Sequence, residues 1–258
     1  MIKAIVSGFS GSMGQKVLAM INGESDLQLV GVFNPIVKSL DPADYDLDSS
    51  VKVFNDLKQI DIDADIWIDF SIPSAVFDNT KFAIEHNIRP VIGTSGMSEE
   101  QIAELKSLAD SKKVGGIIAS NFGVSAVLMM KFAQVAAKYF DHSEVVEFHH
   151  EDKLDAPSGT AMNTAKLIYD VQGKDQEQNP NESDKIGARG GDYHGIKIHA
   201  IRLPGFIADE EVIFGGAGEN LTIKQSTTDR ASFMKGVKIA ISEVMKRDEL
   251  VVGLENII

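Results

Sequence analysis

The sequence predicts an α/β protein with two lobes, and two observations predict this fold class. Short apolar runs alternate with amphipathic helical segments up to residue 122, as expected for a parallel sheet covered by helices on both faces. After residue 122 a long helix is followed by several strand-like runs. We therefore predict a nucleotide-type α/β lobe over 1–122 and an α+β lobe over 123–228. A C-terminal helix in 229–258 is expected to pack back on the first lobe.

The elements of the first lobe follow from local pattern. The apolar run Ile2–Val6 predicts the first strand, and QKVLAMI predicts a helix that ends at Gly23. Strands are predicted over Leu27–Asn34 and Asp65–Phe70, with a weaker candidate at Val51–Phe54. The remaining predicted elements are the helix SAVFDNTKFAIEHN, the strand RPVIGTSG, the helix SEEQIAELKSLADS and the strand VGGIIASNFG.

In the second lobe, SAVLMMKFAQVAAKYF predicts a helix that crosses from one lobe to the other. SEVVEFHH predicts a strand and TAMNTAKLIYDV a helix, whereas 173–185 is polar and predicts a mobile surface loop. The runs IKIHAIRL, EEVIFGG and LTIKQST are joined by short links, which favours an antiparallel meander. RASFMKGVKIAISEVMKR predicts an amphipathic closing helix.

Composition excludes several classes of function. The net charge of −13 disfavours nucleic acid and anionic membranes as partners, and the absence of Cys removes disulfides and thiolate chemistry. The chain shows neither a secretory signal pattern nor an apolar run long enough to cross a bilayer. We expect a cytoplasmic protein.

A glycine-rich loop, GFSGSMG, joins the first strand to the first helix. Gly8, Gly11 and Gly14 match the spacing of the Rossmann dinucleotide fingerprint, with Ser10 in the place of the middle glycine. A tight turn alone would look similar, but the position at the first strand–helix junction favours cofactor binding. GTSG and ASNFG end two further strands, where α/β sheets bind ligands.

The second strand ends in Asn34, where NAD-binding lobes usually carry an acid for the ribose hydroxyl. A neutral Asn34 does not repel a 2′-phosphate, and Lys38 is close in sequence. We therefore expect NADPH to be accepted and do not expect exclusive use of NAD, although an Asn side chain can also bond a ribose hydroxyl.

The stretch EFHHEDKLDAPSGT, residues 147–160, admits three interpretations. A metal site is disfavoured because neighbouring strand residues point to opposite faces, so His149 and His150 cannot readily share an ion. A solvated strand end is the second interpretation. In the third, a helix capped by Ser158 or Thr160 binds a carboxylate at its N-terminus, while a histidine and Lys153 supply protons.

These residues carry a resemblance to a known family. HHEDKLDAPSGTA, with GFSGSMG, DFSIPSA, GTSG and ASNFG, resembles the 4-hydroxy-tetrahydrodipicolinate reductase (dihydrodipicolinate reductase) family of bacterial lysine biosynthesis. The resemblance continues through GARGGDYHG, IHAIRLPG, VIFGGAGENLTI and DRASFMKGV. The histidine run is specific to that family, whereas the glycine loop is not.

The resemblance implies an NAD(P)H-dependent oxidoreductase that converts 4-hydroxy-tetrahydrodipicolinate to tetrahydrodipicolinate, with NADPH or NADH as cofactor, as a cytoplasmic homotetramer built through the second-lobe sheet. It implies that His149 and Lys153 are catalytic, and that His150, Gly159 and Thr160 contact a small dicarboxylate substrate. The implied cofactor contacts are Gly8, Phe9, Ser10, Gly11, Ser12, Met13, Gly93, Thr94, Ser95, Ala119, Ser120, Asn121 and Phe122, and no metal is implied.

Two alternatives to the reductase stay open at this point. One is another dehydrogenase of small acids with the same first lobe, of the aspartate or homoserine type, which gives no account of the histidine run. The other is a non-catalytic NAD(P) sensor, which would be expected to have lost the acid/base residues. Both His149 and Lys153 are present.

Overall fold

The structure is a computed structural model that describes residues 1–258. The strands are β1 (Ile2–Ser7), β2 (Leu27–Phe33), β3 (Lys52–Phe54), β4 (Ile66–Asp69), β5 (Arg89–Ile92), β6 (Gly116–Ile118), β7 (His142–His149), β8 (Gly191–Tyr193), β9 (Ile196–Arg202), β10 (Ala208–Gly216), β11 (Glu219–Thr227) and β12 (Leu250–Val252). The helices are α1 (Ser12–Asn22), α2 (Val76–Glu85), α3 (Glu99–Lys112), α4 (Val124–Ala136), α5 (Gly159–Gln172) and α6 (Phe233–Val244). None of these helices is both long enough and apolar enough to cross a membrane.

The chain divides into two compact units. The first unit contains Met1–Phe122 and Phe233–Ile258, and the second contains Gly123–Ser232. The division at Ser232 lies four residues after the expected lobe end at 228. The helix α4 begins and ends inside the second unit, so the prediction that it crosses between lobes is wrong.

The first unit is built on a seven-stranded parallel sheet in the order β12-β6-β5-β4-β1-β2-β3. Without β12, this is the strand order 3-2-1-4-5-6 of doubly wound dinucleotide-binding sheets. The central strands are buried on both faces, as the run Ile66–Asp69 shows. The fully buried Trp67 lies in the core between the sheet and the helices.

Helices pack against this sheet in two contacting pairs, α1 with α6 and α2 with α3. The closing helix α6 contacts β5 and β6, and it turns its apolar stripe, which includes Val237, Ala240 and Ile241, inward. Gly236 is required at this contact because a Cβ there would lie 2.0 Å from the carbonyl oxygen of Phe122. The C-terminal segment is thereby fixed to the end of β6.

The second unit has a five-stranded mixed sheet in the order β11-β10-β7-β9-β8. The strand β7 is central: it pairs in parallel with β9 and antiparallel with β10. The predicted meander is therefore wrong, because β7 separates β9 from β10. Two strand spacings amount to about 10 Å, which the five-residue link 203–207 can span.

The helices α4 and α5 complete the second unit. The helix α5 packs on β7 and β9, and α4 packs on β10 and β11. Residues 173–185 contain no helix or strand, as predicted, but Gln176 is buried and bonds the backbone N–H and hydroxyl of Ser143. This side chain anchors the segment to β7.

Candidate active site

In the first unit the predicted cofactor residues lie at one edge of the sheet. The strands β6, β5, β4, β1 and β2 are neighbours and run in parallel, so their carboxyl ends share that edge. The predicted residues follow three of these strands: Gly8, Phe9, Ser10, Gly11, Ser12 and Met13 follow β1, Gly93, Thr94 and Ser95 follow β5, and Ala119, Ser120, Asn121 and Phe122 follow β6.

The glycine loop has the geometry of a phosphate cradle. Gly8 has a φ of +72°, and a Cβ there would lie 2.4 Å from the carbonyl oxygen of Phe70. A Cβ on Gly14 would lie 2.3 Å from the carbonyl oxygen of Gly8. Gly11 is the N-cap of α1 and supplies no side-chain cap, so the helix N-terminus is left for an anion.

Several predicted cofactor residues can offer only their backbone. The Phe9 side chain is fully buried and packs edge-to-face on Tyr45 at 5.2 Å between ring centroids. Ala119 and Phe122 are also buried, whereas Ser10 and Ser120 are exposed. The loop therefore presents small polar residues on a hydrophobic support.

Asp69 organises the same edge, and sequence reasoning did not single it out. The buried carboxylate accepts hydrogen bonds from the Ser71 hydroxyl at 2.6 Å and the Thr94 hydroxyl at 2.8 Å. Asn79 of α2 donates to the same carboxylate at 2.9 Å and to the Ser7 hydroxyl at 3.1 Å. These bonds join the ends of β1, β4 and β5. The motif DFS at the end of a predicted strand is the sequence signal that could have identified Asp69 as a residue of this edge.

Asn34, at the end of β2, is turned toward the glycine loop. Its amide donates to the Ser10 hydroxyl at 2.8 Å, and its carbonyl accepts from the backbone N–H of Ile36 at 3.2 Å. The neutral side chain brings no negative charge to this strand end.

In the second unit the histidine predicted to be catalytic, His149, lies at the end of β7. His149 and Glu147 are two residues apart on the strand, so both side chains are on the same face. Nδ1 of His149 lies 3.3 Å from Oε2 of Glu147, whose side chain is 0% exposed. Burial lowers the pKa of His149, and the nearby charge of Glu147 opposes that shift.

The turn after β7 contains the other predicted proton donor. Nζ of Lys153 donates to Oδ1 of Asp155 at 2.7 Å, and this hydrogen bond lowers the pKa of the Asp155 carboxyl. His150 is half-buried, and its carbonyl accepts from the backbone N–H of Lys153. The structure thus brings the histidine pair and the lysine onto one strand end and its turn.

The helix α5 starts directly after this turn, with Gly159 and Thr160 as its first two residues. Of the two predicted caps, Ser158 is the N-cap, and its hydroxyl accepts from the backbone N–H of Ala161 at 3.1 Å. Amides in the first turn of a helix have no intrahelical acceptor and favour an anion. A Cβ at Gly159 would meet nothing within 4 Å, so the backbone there is open to close approach.

Buried carboxylates behind this site were missed at the sequence level. Oε1 of Glu147 accepts from the backbone N–H of Ser158 at 3.0 Å and from Arg202 of β9 at 2.9 Å. Glu210 of β10 pairs directly with Glu147 in the sheet register. Burial raises the pKa of Glu210 to about 7, against the lowering effect of a hydrogen bond with Thr164.

Together, the two units define a class of protein. The first unit has a 3-2-1-4-5-6 parallel sheet with a glycine-rich loop suited to a dinucleotide. The second unit has a mixed sheet that carries His149 and Lys153 beside the N-terminus of α5. This is the architecture of a two-unit, nucleotide-dependent oxidoreductase.

The chain belongs to the dihydrodipicolinate reductase family. Residues 2–122 match the family model described as dihydrodipicolinate reductase, N-terminus, and residues 125–258 match the one described as dihydrodipicolinate reductase, C-terminus. This family uses NAD(P)H, and the resemblance read from the sequence is confirmed.

Relatives match along the whole length. The 4-hydroxy-tetrahydrodipicolinate reductase of Lactiplantibacillus plantarum is 52% identical over 261 residues, with 100% of both chains covered. That of Enterococcus faecalis is 46% identical over 260 residues, again with 100% of both chains covered. A dipicolinate-bound dihydrodipicolinate reductase from Paenisporosarcina sp. TG-14 superposes with a TM-score of 0.91 at 41% identity and covers both chains fully.

A probable dehydrogenase from Thermotoga maritima shares the fold alone. Its identity is 11% and its TM-score is 0.64, with 99% of this chain and 92% of that chain covered.

Proposed function

We propose that this chain catalyses the NAD(P)H-dependent reduction of 4-hydroxy-tetrahydrodipicolinate to tetrahydrodipicolinate, in diaminopimelate and lysine biosynthesis. The end-to-end similarity to relatives named for this reductase carries the proposal. The dipicolinate bound by the solved relative supports a small dicarboxylate as the ligand here.

The residues of the first unit fit a dinucleotide, because the positions of Gly8 and Gly14 leave no room for a Cβ and the start of α1 is not capped by a side chain. When bound, NADPH or NADH supplies the hydride. The residues that would hold it are 8–13, 93–95 and 119–122. The neutral Asn34 at the end of β2 supports acceptance of NADPH.

The second unit supplies protons and holds the substrate. His149, whose lowered pKa favours the neutral ring at pH 7, accepts a proton from the substrate and returns one to the reduced ring. Lys153 gives a proton to the departing hydroxyl, which leaves as water. Gly159 and Thr160 bind a substrate carboxylate at the start of α5, and His150 supports that contact.

A direct assay tests the reaction. The protein is mixed with NADPH or NADH and the freshly formed condensation product of pyruvate and aspartate semialdehyde, and nicotinamide absorbance is followed. No consumption of cofactor with this substrate would refute the proposal, and consumption of NADPH or NADH with aspartate semialdehyde instead would favour another dehydrogenase. Cofactor binding without turnover of any of them would favour the sensor.

Two variants test the assigned residues. His149→Gln and Lys153→Ala are each expected to lose ~10²–10⁴-fold in kcat, the usual contribution of a positioned acid/base group. His142→Gln is the matched control because His142 is an exposed histidine at the other end of the same strand. NADPH affinity, measured by fluorescence titration, should stay unchanged in all three variants. Near-normal turnover by His149→Gln would show that the proton donor lies elsewhere.

We further propose that the chain works in the cytoplasm as a homotetramer built through the sheet of β7–β11, with neither nucleic acid nor membrane as a partner. The family resemblance supports the assembly, and the net charge of −13 supports the absence of polyanionic partners. Light scattering coupled to gel filtration should give about four times the chain mass of 28.0 kDa. A monomer at micromolar concentration would contradict this.

A further inference from the structure

One face of β7 carries acidic, histidine and small side chains toward α5. Ser143, Val145 and Glu147 alternate along this buried face, and His149 follows in the same alternation. Glu147 is fully buried, and the reaction described above gives it no task. A buried carboxylate is costly unless each oxygen has a partner, so its environment indicates its role.

One oxygen of Glu147 is fully occupied. Oε1 accepts from the backbone N–H of Ser158 and from the guanidinium of Arg202, at 3.0 Å and 2.9 Å. Arg202 is held in turn, because it also donates to the carbonyl of Asp155 at 2.7 Å. These donors come from α5 and β9, so they fix the plane and rotation of the carboxylate from two sides.

The other oxygen faces the histidine. Oε2 of Glu147 and Nδ1 of His149 are 3.3 Å apart, both are shielded from solvent, and neither atom makes a hydrogen bond in the structure, with the other or with any third group. The distance is roughly 0.5 Å longer than a tight charge-assisted hydrogen bond, and such bonds in catalytic sites often tighten only when substrate binds. Oε2 is therefore an acceptor within reach of this nitrogen.

We propose that Glu147 is a positioning residue for His149: its carboxylate accepts a hydrogen bond from the Nδ1–H group, which keeps that proton on Nδ1 and leaves Nε2 as the nitrogen that exchanges a proton with the substrate. The inference rests on the proposed role of His149 in the reaction. A carboxylate that orients a histidine in this way selects its tautomer as well as its rotation.

The second buried carboxylate fits this assignment. Glu210 lies opposite Glu147 on β10, and its pKa of about 7 leaves it largely protonated below neutral pH. Arg202 and the Ser158 amide contact Glu147 and not Glu210. Glu147 therefore carries the negative charge that faces His149.

The substitution Glu147→Gln gives a sharp test because only one oxygen remains. Ser158 and Arg202 both need an acceptor, so the amide oxygen must occupy the place of Oε1. The amide NH₂ then faces Nδ1 of His149 and donates to it, which forces the proton onto Nε2. We expect the tautomer to invert, and kcat to fall ~10²–10⁴-fold while NADPH affinity is unchanged.

The tautomer is read directly by solid-state ¹⁵N NMR of histidine-labelled protein without substrate. The chain has six histidines, and the resonances of His149 are those lost in His149→Gln. At a pH where the ring is neutral, the wild type should carry its proton on Nδ1, and Glu147→Gln should carry it on Nε2. Asp170→Asn is the control, since it removes an exposed carboxylate that pairs with Lys166 on α5.

The outcomes separate this inference from the proposed function. A wild-type His149 protonated on Nε2, or a Glu147→Gln variant with wild-type kcat, would overturn it. The tautomer of the wild type does not depend on the Glu147→Gln protein, so a Glu147→Gln protein that fails to fold still leaves the inference open to refutation. If the wild type does not turn over the assayed substrate but shows the Nδ1 tautomer, the proposed reaction fails and the positioning of His149 stands.

Discussion

Glu210 makes the stability of this protein depend on pH near neutrality. The side chain is 2% exposed, and its pKa is raised from 4.5 to about 7, first by burial and further by the charge of Glu147. Thr164 Oγ1 lies 2.6 Å from Oε1 of Glu210 and 3.0 Å from the carbonyl oxygen of Thr160. A hydroxyl has one hydrogen, so a protonated Glu210 can donate to Thr164 while Thr164 donates to Thr160.

The sign and size of the effect follow from proton linkage. Between pH 4.5 and pH 7 the folded chain binds more protons at Glu210 than the unfolded chain, so the free energy of unfolding falls as pH rises. The difference between the usual pKa of 4.5 and the pKa of about 7 in the folded chain corresponds to about 3 kcal/mol of stability, which is lost as pH rises through 7. About 2–3 kcal/mol of this stability is lost between pH 5 and pH 8.

The substitution Glu210→Gln removes this dependence. The amide cannot ionise, and its NH₂ can donate to Thr164 as the acid does. Relative to wild type, the variant should therefore gain about 2–3 kcal/mol in free energy of unfolding between pH 5 and pH 8. Urea denaturation at several pH values and one fixed protein concentration measures this, because subunit assembly also contributes to stability.

The difference between variant and wild type is the quantity to compare. His149 acts in the opposite direction: its lowered pKa makes the free energy of unfolding rise with pH up to about pH 6.5. Glu211→Gln is the matched control, because Glu211 is the next residue on β10 and pairs with Lys224. It measures how the loss of a carboxylate at an ordinary position changes the free energy of unfolding. The reasoning would be refuted if the free energy of unfolding of Glu210→Gln minus that of wild type stayed constant within ~0.5 kcal/mol from pH 5 to pH 8.

Three further substitutions test the local geometry. Gly14→Ala places a Cβ 2.3 Å from the carbonyl oxygen of Gly8, so the cradle must shift, and NADPH affinity in a fluorescence titration should fall at least ~10-fold. Ser158→Ala removes the N-cap of α5 and should cost about 1 kcal/mol in urea denaturation; a cost near zero would show that the cap is dispensable. Gly159→Ala adds a Cβ that meets no protein atom, so stability should change by less than about 0.5 kcal/mol, and a raised KM would indicate that the substrate lies against this residue.

Local sequence pattern was sufficient for the elements that carry the site. The glycines at 8, 11 and 14 predicted the turn between β1 and α1 because a close backbone approach excludes any Cβ. The run 147–160 predicted a strand end, a turn and a capped helix because each is specified within a few residues. The alternation of apolar runs and helices predicted the parallel sheet.

Short strands and strand order were not predictable in the same way. The strands β8 (Gly191–Tyr193) and β12 (Leu250–Val252) have three residues each and were not predicted. The central position of β7 was missed because strand order is decided by long-range pairing and not by the length of the links. The antiparallel meander was therefore the wrong choice.

The sequence by itself determined the class of fold, the glycine cradle and the stretch with His149 and Lys153, because neighbouring residues specify each of them. Only the tertiary structure decided that Glu147, Glu210 and Arg202 come together, since they lie on three strands separated by up to 63 positions. Their register in the sheet places two carboxylates side by side in a dry environment. There one carboxyl group is largely protonated below neutral pH and the other faces the ring of His149.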